Sequence, residues 1–189
     1  MTLVLTGAPE AEPVTVSEAK GFLRLAGSSE DALIEGLIRA AREDVERAAG
    51  LALIDQTWRL ALDAIPHSDM VLLMRHPAKE IIAVTAYGTE GEASLVNVGD
   101  YQADLISRPA RLFFRKRPEP MRAMNGLEID FRAGFGEAGT DVPDLLRRAI
   151  LVLVAHWCEF RASFGPDEQP VSYPPQYERM IAAHRDRRL

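Results

Sequence analysis

Gly134, Gly136 and Gly139 spell G-x-G-x-x-G, the spacing with which a strand-to-helix turn cradles a pyrophosphate. That chemistry needs the third glycine inside the first helical turn, so that the helix amino terminus meets the phosphate, and a second parallel strand after the helix. Here the helix start signal, Asp141-Val142-Pro143, lies beyond the motif, Glu137 and Asp141 set negative charge where phosphate would sit, and no strand pattern follows Ala162. The motif therefore reads as a flexible turn, with a nucleotide-binding enzyme using Gly134–Gly139 as the alternative.

The remaining reactive side chains are scattered. Cys158 is the single cysteine, which excludes an intramolecular disulfide and a multi-cysteine zinc site. His156 and Cys158 are two apart on an expected helix and point to different faces. His67, His76, His156 and His184 show neither H-x-x-x-H nor H-x-E spacing, so no metal is indicated. Glu128 and Asp130 alternate on the outer face of an expected strand, and Glu43, Asp44 and Glu46 are assigned to the solvated side of a helix. No catalytic constellation emerges, and the expectation is a noncatalytic protein without a cofactor.

Charge is unevenly spread. The chain of 189 residues carries a formal charge of −6, which argues against a general nucleic-acid binder. Residues 1–55 hold ten acidic against five basic groups, whereas Arg108, Arg111, Arg115, Lys116, Arg117 and Arg122 face only Glu119 across a proline-punctuated stretch. This stretch reads as a basic loop contacting an acidic partner or a phosphate backbone, a small DNA-binding module being the alternative, or as a solvated surface. A composition 47% hydrophobic and 26% charged is that of a globular chain, and the length suits one core with an inserted subdomain. The longest apolar run, Ala149–Ala155, has seven residues, against the roughly 18 of a membrane span. The first basic residue is Lys20, so Leu3-Val4-Leu5 is not read as part of a secretory signal.

The elements that hold these residues announce themselves unevenly. Thr15-Val16-Ser17-Glu18 is a capping box opening a short helix to about Leu25. A longer helix follows, capped by Ser28-Ser29 and ended by Gly50, with an apolar stripe at Leu33, Leu37, Ala41, Val45 and Ala48 and a polar face of Glu35, Arg39, Arg42, Glu43, Glu46 and Arg47. From Gln56 the period becomes two. Strands are expected at 56–62, 71–74, 81–87, 94–98, 101–105, 111–114 and 127–132, with a hairpin turn at Gly88-Thr89-Glu90-Gly91. Asp141 caps a helix to about Ala162 that is apolar around most of its girth, and its Trp157 and Leu153 are expected to pack on Leu37 and Val45. A Pro- and Gly-bearing loop, 163–175, leads to a short helix from Gln176 to about His184.

The order and spacing of several segments resemble the head–tail connector (adaptor, or head-completion) proteins of long-tailed phages and gene transfer agents. The resemblance rests on Pro13-Val14-Thr15-Val16-Ser17-Glu18-Ala19-Lys20, Glu30-Asp31-Ala32-Leu33-Ile34, Gln56-Thr57-Trp58-Arg59-Leu60, the segment Pro77–Tyr87, Asp100-Tyr101-Gln102, Phe131–Gly136 with Val142-Pro143, and Ala155-His156-Trp157. It spans residues 13–164 and contains the glycine motif.

What the resemblance implies is an α+β fold, a single connector domain over 1–189: an antiparallel helical bundle core from N-terminal helices at 14–52 and a core helix at 141–163, a small antiparallel β subdomain inserted at 56–133, and a loop and portal-docking helix at 164–189. It implies a structural subunit, made in the bacterial cytoplasm and placed at the head–tail junction of a particle. There it forms a ring of about a dozen copies extending the DNA channel. Its partners are further copies of itself, the portal protein, the next tail-side connector (stopper), and double-stranded DNA passing without sequence-specific binding, with no membrane. Portal contact falls to Tyr177, Arg179, Met180, Ile181, His184, Arg185, Arg187 and Arg188, the alternative being that this helix packs back on its own bundle. Inter-subunit or tail-side contact falls to Arg108, Arg111, Arg115, Lys116, Arg117 and Arg122.

Overall fold

The computed structural model describes residues 1–163 and 173–185, with side chains described for all of these except 160–163. The chain divides into two compact units, one of residues 1–9 and 55–135, the other of residues 10–54 and 136–189.

The first unit is built of β-strands, with one short 3-10 turn at Val98–Asp100. Its strands are β1 (Thr2–Gly7), β2 (Gln56–Leu62), β3 (Met70–Leu73), β4 (Ala78–Tyr87), β5 (Ala93–Leu95), β6 (Tyr101–Asp104), β7 (Ala110–Phe114) and β8 (Leu127–Ala133). They form a five-stranded sheet ordered β1-β2-β8-β4-β5 and a three-stranded sheet ordered β3-β7-β6. Every pairing is antiparallel. Period-two alternation buries Trp58, Leu60 and Leu62 of β2 together with Leu127, Ile129 and Phe131 of β8. The opposite face carries a cross-strand charge ladder. Arg59 makes a bidentate contact of 2.7 and 2.8 Å with Asp130 and lies 3.3 Å from Glu128, which in turn accepts from the Tyr87 hydroxyl at 2.8 Å. Its hydrogen bonds to Asp130 hold the Arg59 guanidinium above its ordinary pKa. In the smaller sheet Val71, Leu73, Ala110, Leu112 and Phe114 are buried.

The second unit is helical: α1 (Val16–Leu23), α2 (Asp31–Ala49), α3 (Asp144–Ser163) and α4 (Pro175–Ala182). The Thr15–Glu18 capping box is present in both directions, and Arg24 closes α1 in the left-handed region at φ 56°. Gly50 ends α2 at φ 70°, as expected, whereas the N-cap of α2 is Glu30, without a side-chain cap in place of the expected serine pair. Asp141 does not cap α3. It closes a short 3-10 turn, Gly139–Asp141, by accepting from the Ala138 amide at 3.0 Å.

Two larger expectations are corrected as well. The class is α+β, but a helical bundle is not the core on which a small β subdomain hangs: eight strands in two antiparallel sheets make a unit with an interior of its own. The sequence understates this because β5 has three residues, β3 and β6 four each, and β4 carries two irregularities that break its alternation. Strand β1, which pairs with β2, was not anticipated.

The second correction concerns α2, whose buried stripe is Ile34, Ile38, Ala41, Val45 and Ala49 rather than Leu33, Leu37, Ala41, Val45 and Ala48. Arg42, Asp44 and Glu46 are buried as well, with 5–6% exposure. Treating Arg42 and Glu46 as solvent-facing rotates the expected stripe away from them, and the real helix turns toward them. Trp157 is likewise only partly buried, so the expected packing of Trp157 on Leu37 is not the centre of the core, although Leu153 and Val45 are fully enclosed.

Ile38→Ala should therefore cost about 2–5 kcal/mol in chemical denaturation. Leu33→Ala, one residue outside the true stripe, should stay within about 0.5 kcal/mol.

Candidate interaction surfaces

The glycine motif is filled by the chain itself. A Cβ on Gly134, whose φ is +153°, would lie 2.5 Å from the Asp55 Cα. One on Gly136 would collide with the Asp141 carboxylate, and one on Gly139 would lie 2.7 Å from the Pro13 carbonyl oxygen. These glycines allow close approach of protein to protein, and α3 starts only at Asp144, well past Gly139. Among the described residues no group of three His, Cys, Asp or Glu side chains could hold a metal ion, and no helix is long and apolar enough to cross a membrane.

The basic stretch is not one loop. Arg111 lies in β7 and contacts Asp104 at 2.9 Å; Arg115 donates to Gln102 at 2.9 Å. Arg117 contacts Asp69 at 2.6 Å and donates to the carbonyl of Pro66. Arg122 donates to the Asn125 carbonyl and lies 4.1 Å from the centroid of the Tyr87 ring. Arg108 and Lys116 are exposed and unpaired among the described residues. Four of the six charges are thus committed to the protein's own surface.

Between β6 and β7, Asp104 builds a turn that sequence reading did not single out. Its carboxylate accepts from the amides of Ile106 and Ser107 and from the Ser107 hydroxyl, as well as from Arg111. These donors, the Ser107 hydroxyl first, hold its pKa down at about 2. The tip of the turn, Ile106, is 95% exposed. The signal was an Asx pattern, Asp followed three residues later by Ser.

The C-terminal helix meets the protein with the residues expected to face outward. Tyr177 and Ile181 are fully buried, Met180 and His184 partly so, and Arg179 and Arg185 are exposed. Tyr177 donates to the buried Asp44 carboxylate at 2.7 Å and Tyr173 donates to the same group at 3.0 Å, with their rings stacked 5.2 Å apart. Arg47 pairs with Asp44 from the next turn of α2. Arg185 is paired with Glu178 at 2.7 Å. Arg187, Arg188 and most of the loop at 163–175 lie outside the described residues. Burial, then the hydrogen bond to Asp44, raises the pKa of Tyr177 far above that of a free phenol.

Tyr177→Phe should cost about 2 kcal/mol, because it leaves a buried carboxylate one donor short. The raised pKa means that the wild-type contact contributes fully below about pH 10 and is lost as pH rises beyond it. The alkaline fall in melting temperature should be shallower in the variant. Truncation after Phe164, which removes Tyr177 and Ile181 from the interior, should lower the melting temperature rather than leave it unchanged. Gly136→Ala and Gly139→Ala should lower it too, and calorimetry with NAD or ATP should give no heat of binding to either variant or to the wild type.

No curated protein matches the chain. Three solved structures resemble it over 100% of its length and 97% of theirs, each at 27% identity: chains of the neck of an empty gene transfer agent particle computed with C6 symmetry (TM-score 0.82), of the virion of a native gene transfer agent particle (0.81), and of the neck of a native particle computed with C12 symmetry (0.80). A sequence model of the head completion proteins matches residues 12–185, and the chain belongs to that family.

Proposed function

We propose that this protein is a structural, noncatalytic subunit of the head–tail junction of a phage-like particle, placed as a ring of about a dozen identical copies that extends the DNA channel from the portal toward the tail. The observation that carries this reading is the full-length likeness to chains of gene transfer agent necks, joined to membership of the head completion family. A closed ring of identical copies needs heterologous contacts, in which two different patches of each subunit meet. On this reading double-stranded DNA passes the ring without sequence-specific contact, in keeping with the net charge of −6.

The portal and a tail-side connector are the partners proposed for the two ends of the ring. The C-terminal segment is assigned to the portal. Because Tyr177 and Ile181 hold α4 to its own unit, docking is assigned to the exposed Arg179 and Arg185 and to Arg187 and Arg188, which follow in the sequence. The tail side is assigned to the basic stretch, where Arg108 and Lys116 are the charges left exposed for a partner.

A particle-producing strain lacking this chain should accumulate DNA-filled heads that do not join tails. Tailed, DNA-transferring particles from that strain would overturn the reading. Arg108→Glu with Lys116→Glu should leave the melting temperature within about 2 °C, since exposed unpaired charges contribute little to stability, yet lower the yield of joined particles at least tenfold.

A further inference from the structure

The five-stranded sheet has two outer edges, β1 and β5, and neither is paired on its outer side among the described residues. Strand β1, Thr-Leu-Val-Leu-Thr-Gly, carries no charge and no proline, and Val4 and Leu5 are 48% and 42% exposed. Such an edge is a template for another strand, and soluble proteins blunt it with lysine, proline or a covering segment. Strand β5, Ala-Ser-Leu, is also uncharged and exposed throughout, with Leu95 at 77%.

The two edges match each other. Since every neighbour in the order β1-β2-β8-β4-β5 is antiparallel, β1, β8 and β5 run in one direction. Val4 lies opposite Arg59, and Leu95 lies opposite Thr85, which is opposite Glu128. Both apolar side chains therefore stand on the face that bears the charge ladder, one at each end of the sheet.

We propose that β1 of one copy pairs, in parallel, with β5 of the next, so that the sheet continues from subunit to subunit around the ring. The proposal rests on the ring reading above and names its contact. A second copy is the occupant because the two edges are different surfaces on opposite sides of one sheet, which is what a head-to-tail contact between identical subunits requires. Rotation by one step of a twelvefold ring also leaves the strand direction nearly unchanged if the strands run along the axis, bringing β5 and the next β1 together in parallel. The overlap is short, limited by the three residues of β5, so one contact alone is weak and closure of the ring adds the others.

Cross-linking in assembled particles tests it. In a Cys158→Ser background, Val4→Cys with Leu95→Cys is treated with a short bismaleimide. Within one copy the two positions are about 19 Å apart, four strand spacings, beyond the reach of the linker. The expected result is a ladder of covalent multimers reaching twelve copies, absent from either single variant. Dimers from Val4→Cys alone would mean that β1 meets its own copy and would overturn the proposal. So would necks that contain the chain but yield no ladder. Necks without the chain would remove the ring reading and the proposal together, a distinguishable failure. As a second arm, Val4→Lys with Leu95→Lys should lower neck occupancy at least tenfold with an unchanged melting temperature, and unchanged occupancy would overturn the proposal.

Discussion

The helical unit is organised by three charged groups buried on one helix, Arg42 and Glu46 on one side of its apolar stripe and Asp44 on the other. Arg42, Asp44 and Glu46 of α2 are withdrawn from water, and an ion in that position is costly unless its partners are in place. Each of the three takes at least one partner from another segment. Glu12, ahead of α1, meets Arg42 at 2.9 Å; the Leu53 amide, just past the end of α2, donates to Glu46 at 2.8 Å; Tyr173 and Tyr177 bring α4 to Asp44. Arg42 and Glu46 also pair with each other at 2.8 Å. The approach to α1, the exit from α2 and the seat of α4 are thus fixed by the need to satisfy three side chains of one helix. Apolar packing alone, being non-directional, would leave these segments freer to slide.

That burial is also what the sequence conceals. The capping box at Thr15, the glycine stop at Gly50 and the alternation of Trp58, Leu60 and Leu62 were legible because each is a local rule with a local cause. The orientation of α2 was not, since the rule that charges face water is a rule about averages, and Arg42 and Glu46 break it by pairing. The same blindness affected α4, whose apolar stripe is visible at three- and four-residue spacing without any sign of whether it faces outward or inward. Its inward placement depends on Asp44, more than a hundred residues earlier in the chain. Strand β1 was missed because an uncharged run of six residues has no capping or turn signal and acquires meaning only beside β2. The glycine motif shows the converse: a pattern with a well-known chemistry whose space is taken by Asp55, Asp141 and Pro13.

The two units thus differ in how they manage charge. In the helical unit the decisive ions are buried and pin segments of the same chain. In the β unit they lie on an open sheet face as a cross-strand ladder, where Arg59, Glu128, Asp130 and Tyr87 satisfy one another and keep that face polar. Exposed apolar groups flank that ladder at Val4 and Leu95 on the two sheet edges, and Ile106 projects from a turn held by Asp104. Apolar side chains presented on two different sheet edges and on a turn tip suit contact with other proteins.

The central claim is that this chain works as one member of a closed ring at the head–tail junction. Electron cryomicroscopy of the intact particle neck tests it most directly. The account predicts a closed ring of identical subunits between portal and tail, each accommodating the β unit and the helical unit of this fold. Density at that position that fits neither unit, or a particle from which the chain is absent, would contradict it.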